Sequence, residues 1–283
     1  MSIATIGREG FTAVETYRNE IIHSTLQGGT SFLNNPFTRA IWLPSRQVAW
    51  PKSSFIEPAG VDSFDQPMNP SQWQAIESIL STANEDKITL VHGPPGTGKT
   101  TVIATATANI IQSPKNEHST VWLLAQSNVA VKNIAEKLLS LDVVDFRLLV
   151  SKDFHFDWCV CNLQYSSVTI SLSSRCRHEH LYPKLVDKLI VSDTLTDEII
   201  NTERRLKGAR VILCTLSMIA HPRIGALTRI VPVQTAIVDE ASQIEIGNYV
   251  PLLVQHQSTL RKLVFVGDDK QCASFLTVIL NLF

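Results

Sequence analysis

The sequence predicts an α/β fold: a parallel sheet with helices on both faces and an inserted, partly helical segment. Three observations carry this. Five apolar runs of strand length recur along the chain, separated by helical or turn patterns. The first run leads through a loop rich in glycine and proline into a stretch of Ala, Thr and Ile with helical composition. The last two runs end at Asp239-Glu240 and at Gly267-Asp268-Asp269, which puts carboxylates where parallel strands finish.

Residues 1–65 read as an N-terminal arm with little core of its own. Pro36, Pro44, Pro51, Pro58 and Pro67 break any long helix there. Thr12 to Ile22 is a short helix or strand, and Asn35 to Pro44 is expected to be extended, with its aromatics packed on the domain. The main domain runs over residues 66–283. Ser71 is expected to cap its first helix, with Gln74 three residues on and Ala75, Ile76, Ile79 and Leu80 at helical spacing. The apolar runs follow: 88–92, 121–125, 211–214, 236–238 and 263–266. Thr100 to Ile111 is the helix after the glycine loop. Residues 151–207 change periodicity and read as an insertion, its end from Leu185 to Leu206 forming one or two charged amphipathic helices.

The 283 residues suffice for one large α/β domain or one domain with an insertion. With 44% hydrophobic and 18% charged residues the composition is globular. A net charge of −1 gives no global basic field, so any nucleic-acid contact has to come from a local groove. Five cysteines at irregular spacing are no disulfide framework and suit a reducing, intracellular setting, cytoplasmic or nuclear. The N-terminus has no secretory pattern, and no stretch of about 18 apolar residues is present, so no membrane partner is expected. Cys159, Cys161, Cys176, His178 and His180 lack the gaps usual for structural zinc, and reduced cysteines in an insertion are the simpler reading.

Gly93-Pro94-Pro95-Gly96-Thr97-Gly98-Lys99-Thr100 fits G-x-x-x-x-G-K-[ST], the phosphate-binding loop. Its glycines let backbone N–H groups close on phosphate oxygens, and the helix that follows adds its positive end. Lys99 is placed for the β- and γ-phosphates and the Thr100 hydroxyl for Mg²⁺. Asp239, at a strand end beside this loop, can hold Mg²⁺ through its water shell, and Glu240 can orient or deprotonate an attacking water. A glutamine amide can pair with adenine N6 and N7, which makes Gln72 a candidate base reader, although glutamine also simply suits the first helical turn. Gln271 can sense the γ-phosphate from the end of the fifth run. Trp73 is read as packing and not as an adenine contact.

The ordered set Ser71-Gln72, Gly93–Thr101, Ala125–Val131, Val211–Ser217, Asp239–Gln243 and Gly267–Gln271 resembles superfamily 1 helicases of the Upf-like branch, which includes senataxin-type proteins. The resemblance covers about Asn69 to Gln271. It implies a RecA-like P-loop NTPase motor domain using ATP and Mg²⁺. Gly93, Pro94, Pro95, Gly96, Thr97, Gly98, Lys99, Thr100 and Thr101 would then bind the nucleotide, with Gln72 on the adenine. Asp239 and Glu240 would support hydrolysis, and Gln271 would couple the γ-phosphate to the nucleic-acid groove. Ser127, Asn128 and Thr215 would touch the backbone of single-stranded RNA or DNA.

The chain departs from that pattern in two ways. Cys272-Ala273-Ser274 stands where relatives carry Leu-Pro, and the sequence then runs to Phe283 without a second RecA-like domain. In the family that domain supplies the arginines that close on the γ-phosphate, worth roughly 10³–10⁵ in rate. The expectation is therefore a truncated motor, with its second half or another protein partner in trans. A non-motor ATP-binding interaction module or inactive fragment is the alternative. The phosphate loop is also common in AAA-type ATPases, from which Ser71-Gln72 and Gly267–Gln271 distinguish this chain.

Overall fold

The computed structural model describes residues 13–29, 32–43, 48–50, 68–151, 182–195 and 199–268. The elements in chain order are α1 (Ala13–Leu26), α2 (Pro36–Trp42), α3 (Pro70–Leu80), β1 (Ile88–His92), α4 (Lys99–Gln112), β2 (Val121–Ala125), α5 (Asn128–Ser140), β3 (Phe146–Val150), α6 (Tyr182–Val186), β4 (Leu189–Val191), α7 (Ile199–Leu206), β5 (Val211–Thr215), α8 (Ile224–Ile230), β6 (Thr235–Asp239), α9 (Val250–Gln255) and β7 (Lys262–Gly267). The strands form one sheet in the order β1-β7-β6-β2-β5-β3-β4, with every pair parallel. This is the α/β, RecA-like P-loop arrangement that the sequence predicts.

Both faces of the sheet are covered, and β2 shows how. All five of its residues are buried. Val121, Leu123 and Ala125 join the core under α3, α4 and α5, with Ile76, Ile103, Ile134 and Leu138. Trp122 and Leu124 point the other way, into a second core with Phe37, Leu227, Tyr249, Leu252 and Phe265. A strand buried on both sides cannot alternate in polarity, which is why these runs read as continuous apolar stretches. Helix α4 is buried from Val102 to Ile111 and so carries small and apolar residues all round. Trp73 packs against the first core, as expected.

Four local readings need correction. The cap of α3 is Asn69 and not Ser71. Asn69 Oδ1 accepts from the Gln72 amide at 2.9 Å, and Gln72 Oε1 accepts from the Asn69 amide at 2.9 Å. Pro70 at the first helical position favours this register. The segment from Asn35 to Pro44, expected to be extended, is helical over Pro36–Trp42, because Asn35 caps the amides of Phe37 and Thr38 and Pro36 again opens the helix. The sheet has seven strands where the apolar runs gave five. Arg147 interrupts the β3 run, yet it is buried, donating from Nε to the Arg205 carbonyl at 3.0 Å and from Nη1 to the Phe146 carbonyl at 2.7 Å. Finally, Leu185 to Leu206 is not helical throughout: β4 pairs with β3 there, between α6 and α7. The zinc-like cysteines and histidines of 159–180 lie outside the described residues.

Of the stretch Thr12 to Ile22, which the sequence reads as helix or strand, the described residues from Ala13 onward are helical within α1. Val14 and Ile21 are buried, and α1 packs on α9 and on the 3₁₀ turns at 216–220 and 246–249. Arg18 pairs with Glu245 at 2.9 Å, and Asn35 Nδ2 donates to the Leu253 carbonyl at 2.7 Å.

Candidate nucleotide site

The strand order decides what can meet. β1, β7 and β6 are neighbours, so the loops at their C-terminal ends converge. Those loops begin at Gly93, Asp268 and Glu240. Between them lies a cavity of about 380 Å³ lined by Pro95, Gly96, Gly98, Lys99 and Thr100 of the glycine loop and α4, Asp239, Glu240 and Ser242 after β6, and Gly267 and Asp268 after β7.

The glycine loop is held by its own polar groups. Gly93 N–H donates to the Gly267 carbonyl at 3.1 Å, tying β1 to β7 at the cavity floor. Gly96 and Gly98 have φ of +82° and +83°, the left-handed region that favours glycine. Thr97 Oγ1 donates to the Pro94 carbonyl at 2.8 Å. Lys99 Nζ donates to the Gly93 and Pro94 carbonyls at 2.6 and 3.0 Å, so the ammonium sits folded into the loop. Gln72 Nε2 donates to the Thr97 carbonyl at 2.9 Å. With one amide hydrogen on Thr97 and one lone pair on Asn69, the Gln72 carboxamide keeps a second hydrogen and a second lone pair.

Asp239 is buried at the end of β6 and its Oδ1 accepts from the Glu240 amide at 2.9 Å. Burial pushes its carboxyl up to about 6; the nearby Glu240 adds to that, while the amide bond and Lys99 oppose it. Glu240 has φ 52° and ψ 33°, left-handed for a residue with a side chain. Thr100 and Asp239 both line the cavity and offer hydroxyl and carboxylate oxygens, the hard donors that Mg²⁺ prefers.

The expected strand-contact residues sit on the adjoining half of the same edge. Ala125 of β2 pairs with Asp239 on one side and Thr215 on the other. Ser127 caps α5, its Oγ accepting from the Ala130 amide at 3.1 Å, and Asn128 opens that helix. Thr215 is largely buried, and its hydroxyl lies 3.0 Å from that of the exposed Ser217.

Of the residues singled out in the sequence, Pro95, Gly96, Gly98, Lys99, Thr100, Asp239 and Glu240 meet at the cavity. Gly93, Pro94 and Thr97 form the loop's base, Gln72 reaches it through Thr97, and Thr101 sits within α4, away from the cavity lining. Gln271 lies outside the described residues. Ser242 and Asp268 were missed as site residues. Both stand inside the motifs quoted, and the signal was their position past a strand end, three residues after β6 for Ser242 and one after β7 for Asp268.

The sequence matches the family described as an AAA domain over residues 67–160 and 164–277. The chain belongs to that family. It is similar to the regulator of nonsense transcripts 1 of Caenorhabditis elegans, 27% identical over 72% of the chain and 18% of the relative. It is also similar to the ATP-dependent helicase upf1 of Schizosaccharomyces pombe, 29% identical over 77% of the chain and 24% of the relative. The ATP-dependent helicase NAM7 of Saccharomyces cerevisiae is 28% identical over 75% of the chain and 20% of its own length. The chain thus spans about a fifth of these curated relatives. Within the family it is a Upf1-like superfamily 1 helicase domain, the first motor domain. Among the described residues no helix is long and apolar enough to cross a membrane.

Proposed function

We propose that this domain binds Mg²⁺-ATP in the cavity at the ends of β1, β6 and β7 and hydrolyses it in response to single-stranded RNA or DNA lying across the ends of β2 and β5. The observation that carries the reading is the meeting of Lys99, Thr100, Asp239 and Glu240 around one cavity. The relatives' description as ATP-dependent helicases supports it.

Lys99 leaves the Gly93 and Pro94 carbonyls and places its ammonium on the phosphates, where a charge-assisted bond is stronger than one to a neutral carbonyl. The loop amides and the start of α4 add donors and a positive dipole end. Thr100 and Asp239 would hold a magnesium ion, which would supply neutralisation of the phosphate charge. Glu240 orients the attacking water and accepts its proton. Gln72 presents its remaining donor and acceptor to the adenine. Residues 1–65 serve as an arm on a domain of 66–283, with 151–207 an insertion, and an intracellular site, cytoplasmic or nuclear, suits this chemistry.

The test is ATP turnover by the purified chain with and without single-stranded RNA and DNA, beside Glu240→Gln and Lys99→Ala. Turnover that rises with nucleic acid and vanishes in Glu240→Gln is expected. Nucleotide binding without turnover would recast the domain as a binding module that needs a second motor half. Undiminished nucleotide affinity in Lys99→Ala would reject the site itself.

A further inference from the structure

Glu240 occupies a left-handed conformation that a residue with a Cβ keeps only when its surroundings hold it there. Two contacts are local to the turn: the Glu240 amide donates to Asp239 Oδ1, and the Gln243 amide donates to the Glu240 carbonyl, both at 2.9 Å. Two more come from outside it. The buried Tyr249 hydroxyl donates to the Ala241 carbonyl at 3.1 Å, and the Asp268 amide donates to Ser242 Oγ at 3.4 Å.

Both outside contacts lead to β7. The Tyr249 ring meets Phe265 of β7 edge-on, with centroids 5.4 Å apart and planes at 82°. Asp268 is the residue that follows β7. Ser242 and Asp268 are buried, and both line the cavity that holds Asp239 and Glu240. The phenol braces the turn from the core side, and the serine ties it to the neighbouring strand end at the cavity itself.

We propose that Ser242 is a positioning residue that joins the turn carrying Glu240 to the end of β7, so that filling the cavity beside Asp239 is passed on to Asp268. The inference rests on the nucleotide reading above. A hydroxyl suits this role because it accepts the Asp268 amide and keeps one O–H to donate. The 3.4 Å contact is longer than the usual range of about 2.7–3.2 Å, so a small movement of either loop strengthens or breaks it.

Hydrogen exchange of the whole chain, with and without Mg²⁺ and a non-hydrolysable ATP analogue, tests the link without needing turnover. In the unsubstituted protein the analogue slows exchange both at 93–101 and at 263–268. At saturating analogue, Ser242→Ala keeps the slowing at 93–101 but loses most of the slowing at 263–268. Ser242→Thr restores it and Ser242→Val does not; that pair, matched in volume, isolates the hydroxyl should Ser242→Ala fail to fold. Slowing at 263–268 that survives in Ser242→Ala and Ser242→Val overturns the proposal, as does slowing confined to 93–101 in the unsubstituted protein. No slowing at 93–101 would instead reject the nucleotide site, and the link with it.

Discussion

Gly98 stands at a fixed position of the motif and Gly96 at a variable one, and the structure sets them apart as well. Both have positive φ, but a Cβ at Gly96 would meet open space, whereas one at Gly98 would lie 2.5 Å from Gln72 Nε2. Gly96→Ala should therefore cost only the left-handed penalty of about 1–2 kcal/mol. Gly98→Ala should cost that and also push Gln72 off the Thr97 carbonyl, lowering nucleotide affinity at least about tenfold more than Gly96→Ala does. Parallel nucleotide titrations check this, and equal effects would mean that Gln72 does not brace the loop. His256 makes a second residue-level case. It is buried, its Nε2 has no hydrogen-bond partner, and burial pushes its imidazole down to about 4 from an ordinary 6.5. The unfolded chain therefore takes up this proton first as pH falls. Stability from this group is intact above pH 6.5 and is lost progressively from 6.5 towards 4, by about 3 kcal/mol across that window. Chemical denaturation at pH 7 and pH 4.5 should show a smaller acid loss in His256→Leu than in the parent, and an unchanged loss would sink the assignment.

At the scale of elements, long-range capping does what the local sequence does not announce. Arg210, just before β5, donates from Nη1 to the Asn116 and Glu117 carbonyls, each at 2.9 Å, and from Nη2 to the Ile111 carbonyl at the end of α4. Lys262, at the start of β7, donates to the Ser78 and Ser81 carbonyls at the end of α3, at 2.6 and 2.7 Å. Each cation meets the negative end of a helix that leads to the site. Arg210→Met should lower stability by about 2–3 kcal/mol, and Arg210→Lys should recover less than half, because one ammonium cannot reproduce the fork. Thermal unfolding of the pair decides it; full recovery by lysine would show that charge alone matters. These contacts mark where sequence reading ran out. The runs of β1, β2, β5, β6 and β7 were legible because burial on both faces leaves few polar interruptions. β3 was hidden by an arginine whose Nε partner lies on α7, and β4, with three residues, was too short to stand out. The α3 cap was misplaced by two residues because Asn69-Pro70-Ser71-Gln72 offers two capping side chains, and only the fold chooses between them. Within the site, Lys99, Thr100, Asp239 and Glu240 were legible because phosphate chemistry fixes their spacing. Ser242 and Asp268 gain their meaning from a contact between two loops 26 residues apart.

Across the whole molecule the sheet order separates two groups of candidate residues along one edge. The loops after β1, β7 and β6 enclose the cavity, while β2 leads to Ser127 and Asn128 at the start of α5 and β5 ends on Thr215. The two halves share one seam, where Ala125 of β2 pairs with Asp239 of β6 and Thr215 of β5. Parallel strands order their C-terminal loops side by side, so this fold can place a nucleotide and a polymer next to each other without sharing contact residues. With a net charge of −1, the strand binding proposed above would have to rest on local contacts and not on a general field. Two groups of variants should then separate the functions. Asn128→Ala with Thr215→Val removes two neutral polar contacts at about 0.5–1.5 kcal/mol each, and single-strand affinity by fluorescence anisotropy should fall about 5-fold to 150-fold. Nucleotide affinity in that variant should stay within about twofold, while Lys99→Ala should show the reverse pattern. If the double variant loses nucleotide affinity as steeply as strand affinity, the edge works as one site, and the division that the strand order suggests is wrong.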